Sequence, residues 1–461
     1  MRQPLTALLL LVCSAFGGHA CAQDPGDGPA VEPPAQALEF ERTGVVDLWQ
    51  LFQEAAQEDP RILAARARSQ SAAWRQREAY GQLLPQVAAS GSYNRTLQEY
   101  DVARRFYNGE RYSLGVSQVL YDPEVWHNYR RFNELAQQQA AEYEASLEES
   151  TVDLVERYFM ALAAEDELDL VAAELRATQR NQERINALYA RQLAMVTDVL
   201  EVSARVDGLA AQVIEARNRV EISREALSEL VGRPIVERLK RIGPAPQFHM
   251  PPQDKTYWVT LAAESNPVLR ARQKAVDAAQ ASLRQAKAGH LPTVTLNLNG
   301  QRSDIGYENS IAPRTDTYVA NLGVQIPIYS GGSTSARVSS MYEDLMTAEH
   351  ELEAARRQVS RETRSAFNDM EAGLSKISAL RKALVSAEKS RTAAERAFGL
   401  GVMNAVDVLD TVKEEYAARR DLLKSQYDFI MSVTVLRRWS GTLAADDVRQ
   451  ANAWLIEPPV R

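Results

Sequence analysis

Cysteine occurs only twice in this sequence, at Cys13 and Cys21, and both lie within the first 22 residues. Nothing downstream of them can form a disulfide, so an exported form must be held together by packing and association. After that leader no stretch approaches the ~18 apolar residues of a membrane helix, which leaves strands as the means of spanning a membrane. Excess positive charge is absent as well. The formal net charge is −8, which leaves no basic footprint for nucleic acid. The five histidines (His19, His127, His249, His290 and His350) are scattered, with no His-x-x-x-His pair and no glycine-rich phosphate loop. No catalytic centre, cofactor or metal site is expected. Aromatics are sparse and a quarter of the chain is charged, a balance that favours long solvated helices over a compact oily core.

What is present begins with a secretory pattern. Arg2, the apolar run 5–16 and Ala20-Cys21-Ala22 read as a signal peptide over residues 1–22. A lipidated Cys21 is the competing reading, although Gly18-His19-Ala20 departs from the usual Leu-small-small. Residues 23–45, rich in Pro, Gly and acids, read as a disordered leader.

The rest repeats itself. Asp59-Pro60 recurs as Asn266-Pro267, Leu84-Pro85 as Leu291-Pro292, Asp198-Val199-Leu200 as Asp407-Val408-Leu409, and Gly232 as Gly441, at offsets of 207 to 209. The spacing predicts a first repeat over 46–233, a proline-rich linker over 234–253, a second repeat over 254–441 and a C-terminal segment over 442–461. Each repeat reads as a helix (46–81, 255–289) that ends at Leu-Pro. Two strand-like runs then lead to a very long helix (124–188, 333–397) and a further helix (197–232, 405–440). Val338, Met341, Leu345, Ala348, Leu352, Ala355 and Val359 alternate at three and four, the seam of a coiled coil. Sixty-five helical residues reach on the order of 100 Å.

The fold class expected is therefore an α+β membrane protein, with long coiled-coil helices plus four β-strands per chain. Four strands of roughly ten residues cannot close a barrel, so their edges must pair with other copies. Two copies give an eight-stranded barrel filled by side chains, and three give room for an aqueous lumen. The alternative is an exported structural coiled-coil protein without a channel. The loops at 99–111 and 304–315 are expected to face the exterior.

The motifs that mark the joints resemble the TolC family of outer-membrane efflux proteins. Ala288-Gly289-His290-Leu291-Pro292 looks like that family's approach to the barrel, with Gly81 replacing the alanine before Pro85 in the first repeat. Pro327-Ile328-Tyr329-Ser330-Gly331-Gly332 is similar to its departure from the barrel. Phe398-Gly399-Leu400-Gly401, with Met403 and Asp407 to Asp410 after it, looks like the tip turn where a partner docks. The C-terminal end is closer to the TolC branch than to the lipid-anchored drug-efflux branch. This resemblance implies a homotrimer with a twelve-stranded barrel in the bacterial outer membrane and a helical barrel crossing the periplasm. It further implies docking to a periplasmic adaptor protein and, through it, an inner-membrane transporter, in efflux or type I secretion.

Four acids draw attention at the tip. Asp198 and Glu201 align with Asp407 and Asp410, three apart at the start of a helix, so each pair shares one face. First-turn acids complement the helix dipole and cap free amides. A ring of such acids also narrows a pore and attracts cations. The resemblance favours the ring for Asp407 and Asp410 and leaves Asp198 and Glu201 nearer the capping role. Phe398 and Met403 stand where the family has a tyrosine and an arginine that hold the tip shut, and Gln192 stands where it usually has glycine. The family's gating bonds are therefore not expected here.

Overall fold

Alternation of apolar and polar residues decides which face of the sheet each side chain takes. The computed structural model describes residues 44–100, 103–243, 246–304, 306 and 314–457. The signal segment and nearly all of 23–45 lie outside the described residues. After the short strand β1 (Val45–Val46), the first half runs α1 (Leu48–Glu58), α2 (Pro60–Gly81), β2 (Gln86–Tyr100), β3 (Ala103–Tyr121), α3 (Pro123–Tyr189) and α4 (Val196–Val231). Two short strands follow, β4 (Arg238–Leu239) and β5 (Arg241–Ile242). The second half runs α5 (Lys255–Ser265), α6 (Pro267–Ala288), β6 (Thr293–Asp304), β7 (Arg314–Gln325), α7 (Ser333–Gly399) and α8 (Ala405–Trp439). The chain closes with α9 (Ala445–Ala453) and β8 (Leu455–Ile456). Helices of 11, 22 and 67 residues occur in the same order in both halves.

Two expectations are corrected. The helices expected over 46–81 and 255–289 are each broken. Asp59 and Asn266 take extended backbone, accept amide hydrogen bonds from the next turn and are followed by proline at the first helical position. The strands are also longer than expected. The β2–β3 hairpin pairs from Gln86↔Ser117 up to Tyr100↔Ala103, so most of 99–111 is strand rather than loop. Most of 304–315 lies outside the described residues.

The four long strands form one antiparallel sheet in the order β2-β3-β6-β7. Register sorts the side chains. Val87, Val116, Leu298 and Ala320 form one row across the sheet, and Ala89, Leu114, Gly300 and Tyr318 the next. The opposite face carries Ser90, Ser113, Gln301 and Thr317, and Ser90 and Ser113 share a 2.7 Å hydroxyl contact there. In these rows one face is apolar and the other polar, as a wall between lipid and water requires, while Arg302–Asp316 and Arg314–Asp304 place charge on the first face further along the strands.

The helices bury their seams within the chain. Leu345 and Leu352 of α7 interlock with Val276 and Leu283 of α6. Midway along the stalk lies the largest core, where Tyr158, Phe159 and Leu162 of α3 meet Leu48 and Leu51 of α1 and Phe429 and Ile430 of α8. Strand pairs β1–β4 and β5–β8 wrap this level, so the expected linker 234–253 carries paired strands. Two polar contacts lock the wrap. The Tyr158 hydroxyl donates to the Lys240 carbonyl at 2.9 Å, and the Tyr427 hydroxyl donates to Asp166. Burial pushes the Asp166 carboxyl up despite the Tyr427 bond and the Arg241 guanidinium 3.3 Å away.

Candidate functional site at the helical tip

Both long hairpins end in turns of one design. In the first, the Gln192 N–H donates to the Tyr189 carbonyl at 2.8 Å and the Leu193 N–H to Leu188 at 2.9 Å. In the second, Gly401 donates to Phe398 at 3.0 Å and Val402 to Ala397 at 3.1 Å. These bonds satisfy the last carbonyls of α3 and α7 and require a left-handed residue just past each helix. Gly401 supplies it at φ 76, and Gln192 is forced to φ 62.

The four tip acids then separate by what caps the next helix. The Asn404 side chain accepts from the Asp407 N–H at 2.8 Å, so α8 has its cap without a carboxylate. Met195 holds the cap position before helix α4 and has no capping oxygen, and there the Asp198 carboxylate accepts the Met195 N–H at 3.2 Å. Asp198 is half-buried at that bond, while Glu201 is exposed. Asp407 and Asp410 are both exposed on the first turns of α8, and no hydrogen bond or ion pair from a described residue reaches either carboxylate. Their negative charge is left to solvent.

Phe398 ties the two hairpins together. Its half-buried ring packs on a small cluster of Ile185, Val202 and Leu409, with Ala194 and Val199 beside it. The Arg184 guanidinium of α3 stands over that ring, 4.5 Å from its centroid. Gly399 lies beside the same guanidinium, and Met403 is half-buried. Sequence reasoning overlooked four apolar side chains around these turns: Leu193, Met195, Leu400 and Val402 are 66 to 80% exposed. Their signal was present, since large apolar residues in tight turns have no core to enter.

The other end of the stalk carries the remaining joint residues. Pro85 and Pro292 directly precede the first residues of β2 and β6. Pro327 lies in the extended segment after β7, and Gly331 (φ 65) and Gly332 (φ 81) turn that segment into α7. In the first half Asp122-Pro123 does the same work, with the Asp122 side chain accepting from the Glu124 and Val125 amides.

Residues 51–233 and 258–442 each match the family described as "Outer membrane efflux protein". The chain belongs to the outer membrane efflux protein family. It is 28% identical over 416 residues to the outer membrane protein TolC of Vibrio cholerae serotype O1, covering 89% of this chain and 94% of that protein. It is also 28% identical over 434 residues to the alkaline protease secretion protein AprF of Pseudomonas aeruginosa, covering 91% and 89%. Among solved structures, the CmeC outer membrane channel of Campylobacter jejuni superposes with a TM-score of 0.78 at 14% identity, covering 94% of this chain and 97% of that one. CusC superposes at 0.76 and 16% identity, covering 91% and 99%. The helical stalk with a β domain is thus the fold of this channel family, and the bacterial outer membrane is where the efflux protein resides.

Proposed function

We propose that this outer membrane efflux protein is one subunit of a homotrimeric exit duct without catalytic activity. Three four-stranded sheets build a twelve-stranded barrel, and three pairs of long hairpins continue it as a helical tube of about 100 Å through the periplasm. The observation that carries this reading is the sheet itself. Its rows are apolar on one face and polar on the other, and both outer edges, β2 and β7, lack a strand partner among the described residues. Such edges are untenable in lipid unless a further copy pairs with them.

At the far end, the exposed apolar side chains beside Phe398, Gly399, Gly401 and Met403 suit docking of a periplasmic adaptor protein, which couples the duct to an inner-membrane transporter. Asp407, Asp410 and, more weakly, Asp198 and Glu201 line the approach as acidic rings that favour cations. The relatives named for protease secretion support a type I secretion route beside efflux. The test is the mass of detergent-extracted protein by light scattering, followed by bilayer conductance. Three chains per particle and ohmic channels are expected. A single chain that stays soluble without detergent would return the chain to an exported coiled-coil scaffold.

A further inference from the structure

Basic side chains gather on α3 and α6 where the stalk leaves the sheet, with few acids to meet them. Trp126 and Arg130 begin a stripe of α3 that recurs at four and three through Glu144 and Thr151 to Tyr158. Tyr158 is the residue that α1 and the short strands cover, so Trp126 and Arg130 lie on that same side of the stalk. Arg284 of α6 stands two heptads from Arg270, which bonds Glu144 of the stripe, and so faces that side too. Arg130 and Arg284 are both exposed, and neither makes an ion pair with a described residue. The nearest acids of α3 and α6 are engaged. Glu124 pairs with Arg337 at 3.0 Å, Glu134 and Asp277 pair with Lys274, and Asp122 caps α3.

His127 is close enough to feel both guanidiniums. Burial, and then the charges of Arg130 and Arg284, push its imidazole below the ordinary histidine pKa. Its Nδ1 is buried and has no hydrogen-bond partner among the described residues. Beside it Trp126 and Tyr80 both pack on Tyr129, with ring centroids 5.9 and 5.6 Å away, yet they stay 45% and 49% exposed. Arg130 leans back toward the sheet and holds its guanidinium over the Trp126 ring, 5.7 Å from the centroid. The depth of this group follows from the sheet. Its last apolar pairs before the stalk are Tyr121 with Val294 and Val294 with Val324. Trp126 comes about 5 Å past the start of α3 at 1.5 Å per residue, and the headgroup zone of a leaflet is about 5–7 Å deep. With the apolar rows in hydrocarbon, the Arg130 guanidinium therefore stands among lipid phosphates. Helices α3 and α6 are the inner two of the row α2-α3-α6-α7, so the group is away from both edges.

We infer that Arg130, Arg284 and His127 form a binding site for the phosphate of an anionic phospholipid in the leaflet that meets the stalk, with Trp126 and Tyr80 against its glycerol and upper acyl carbons. This rests on the reading of the sheet as a wall in lipid and adds a ligand to it. Two guanidiniums without a carboxylate suit a phosphodiester, which takes charge-assisted bonds from each. The His127 ring offers a further N–H to the same oxygens, and half-exposed Trp and Tyr are the side chains that settle at the boundary of lipid and water. A headgroup that carries its own ammonium or choline brings a cation back to the site. The preference is therefore for phosphatidylglycerol over phosphatidylcholine.

Native mass spectrometry of the full chain in detergent, titrated with phosphatidylglycerol, phosphatidylcholine or inorganic phosphate, tests the site. The native protein is expected to bind one phosphatidylglycerol per chain, in preference to phosphatidylcholine. Arg130→Gln with Arg284→Gln should weaken that binding about tenfold or more, as loss of charge-assisted bonds does. Arg284→Gln alone should give a smaller loss, and it carries the comparison if the double variant does not assemble to the native mass. Arg270→Gln, a cation of the same side already tied to Glu144, should bind as the native chain does. Equal phosphatidylglycerol binding by the native chain and the arginine variants overturns the site. Displacement of the lipid by millimolar inorganic phosphate would make it a site for free anions and overturn the lipid assignment. A chain that stays soluble without detergent overturns the reading of the sheet, whatever it binds. A detergent-dependent particle that binds no phosphatidylglycerol overturns this site alone.

Discussion

Gln192 and Gly401 hold the same place in the two tip turns, and both have left-handed backbone, at φ 62 and φ 76. Gly401, with no Cβ, does so freely, whereas the Cβ of Gln192 crowds the backbone, a strain of roughly 1–2 kcal/mol. Gln192→Gly should therefore steady the first turn by about 1 kcal/mol after allowing for the looser unfolded chain. Gly401→Ala should loosen the second by a similar amount. Amide hydrogen exchange over residues 188–196 and 397–404 reads each turn separately, and a change of about fivefold is expected. Faster exchange at the first turn in Gln192→Gly would mean that the side chain contributes more than the backbone loses.

Phe398 and Arg184 connect the α7 end to the body of α3. Removing the half-buried ring costs about 2 kcal/mol of local packing together with the cation–π contact. Phe398→Ala should therefore let the second hairpin move against the first. The expected readout is a larger single-channel conductance, with Arg184→Ala giving a smaller rise. Equal conductance in both variants and the native protein would remove this contact from any account of how the tip is held.

The acids divide by partner, and so should their mutants. Asp407→Ala with Asp410→Ala removes two exposed carboxylates that bond no described residue, so cation selectivity and divalent block should fall while stability holds. Asp198→Ala removes the acceptor of the Met195 amide and should cost about 1 kcal/mol at the start of α4, with little change in selectivity. Reversal-potential measurements in asymmetric salt separate the two. If Asp198→Ala shifts the potential as far as the double variant, Asp198 shares the lumen with Asp407 and Asp410.

How much of this was legible depended on what each pattern reports. The Val338 to Val359 seam was read directly because heptad spacing states which face is buried, and the α6–α7 core uses it. Pro60 and Pro267 were visible only as repeat landmarks. That they split a helix follows from the side chains of Asp59 and Asn266 reaching the next amides, a local contact that spacing does not express. Strand β2 runs on through Asn94, Arg95 and Thr96, residues that in isolation look like loop. On a wall with one watery face, and above the lipid on both, polar residues are ordinary strand residues. Spacing alone left the tip acids equivalent and only the resemblance divided them; in the structure Asn404 caps α8, whereas Asp198 accepts the Met195 amide ahead of α4.

Glu148 offers a pH test of the packing between α3 and α1 midway along the stalk. It lies on α3 beside a largely apolar hollow lined by Phe52, Ala55, Leu154 and Leu443. Burial pushes its carboxyl up to about 7, with Glu144 adding to the rise and Arg438 and Arg270 opposing it. A carboxyl whose folded value lies above its unfolded one binds its proton more tightly in the fold. Its contribution is therefore favourable at low pH and is lost as pH climbs from the ordinary carboxylate range through about 7. Glu148→Gln keeps the shape of the protonated acid and removes the titration. Its melting temperature should exceed that of the native chain at about pH 8 and match it at about pH 4, where both side chains are neutral. A constant difference at both pH values would show that packing, not ionisation, separates the two proteins. A lower melting temperature at the higher pH would mean that Arg438 and Arg270 draw their stability from the ionised form.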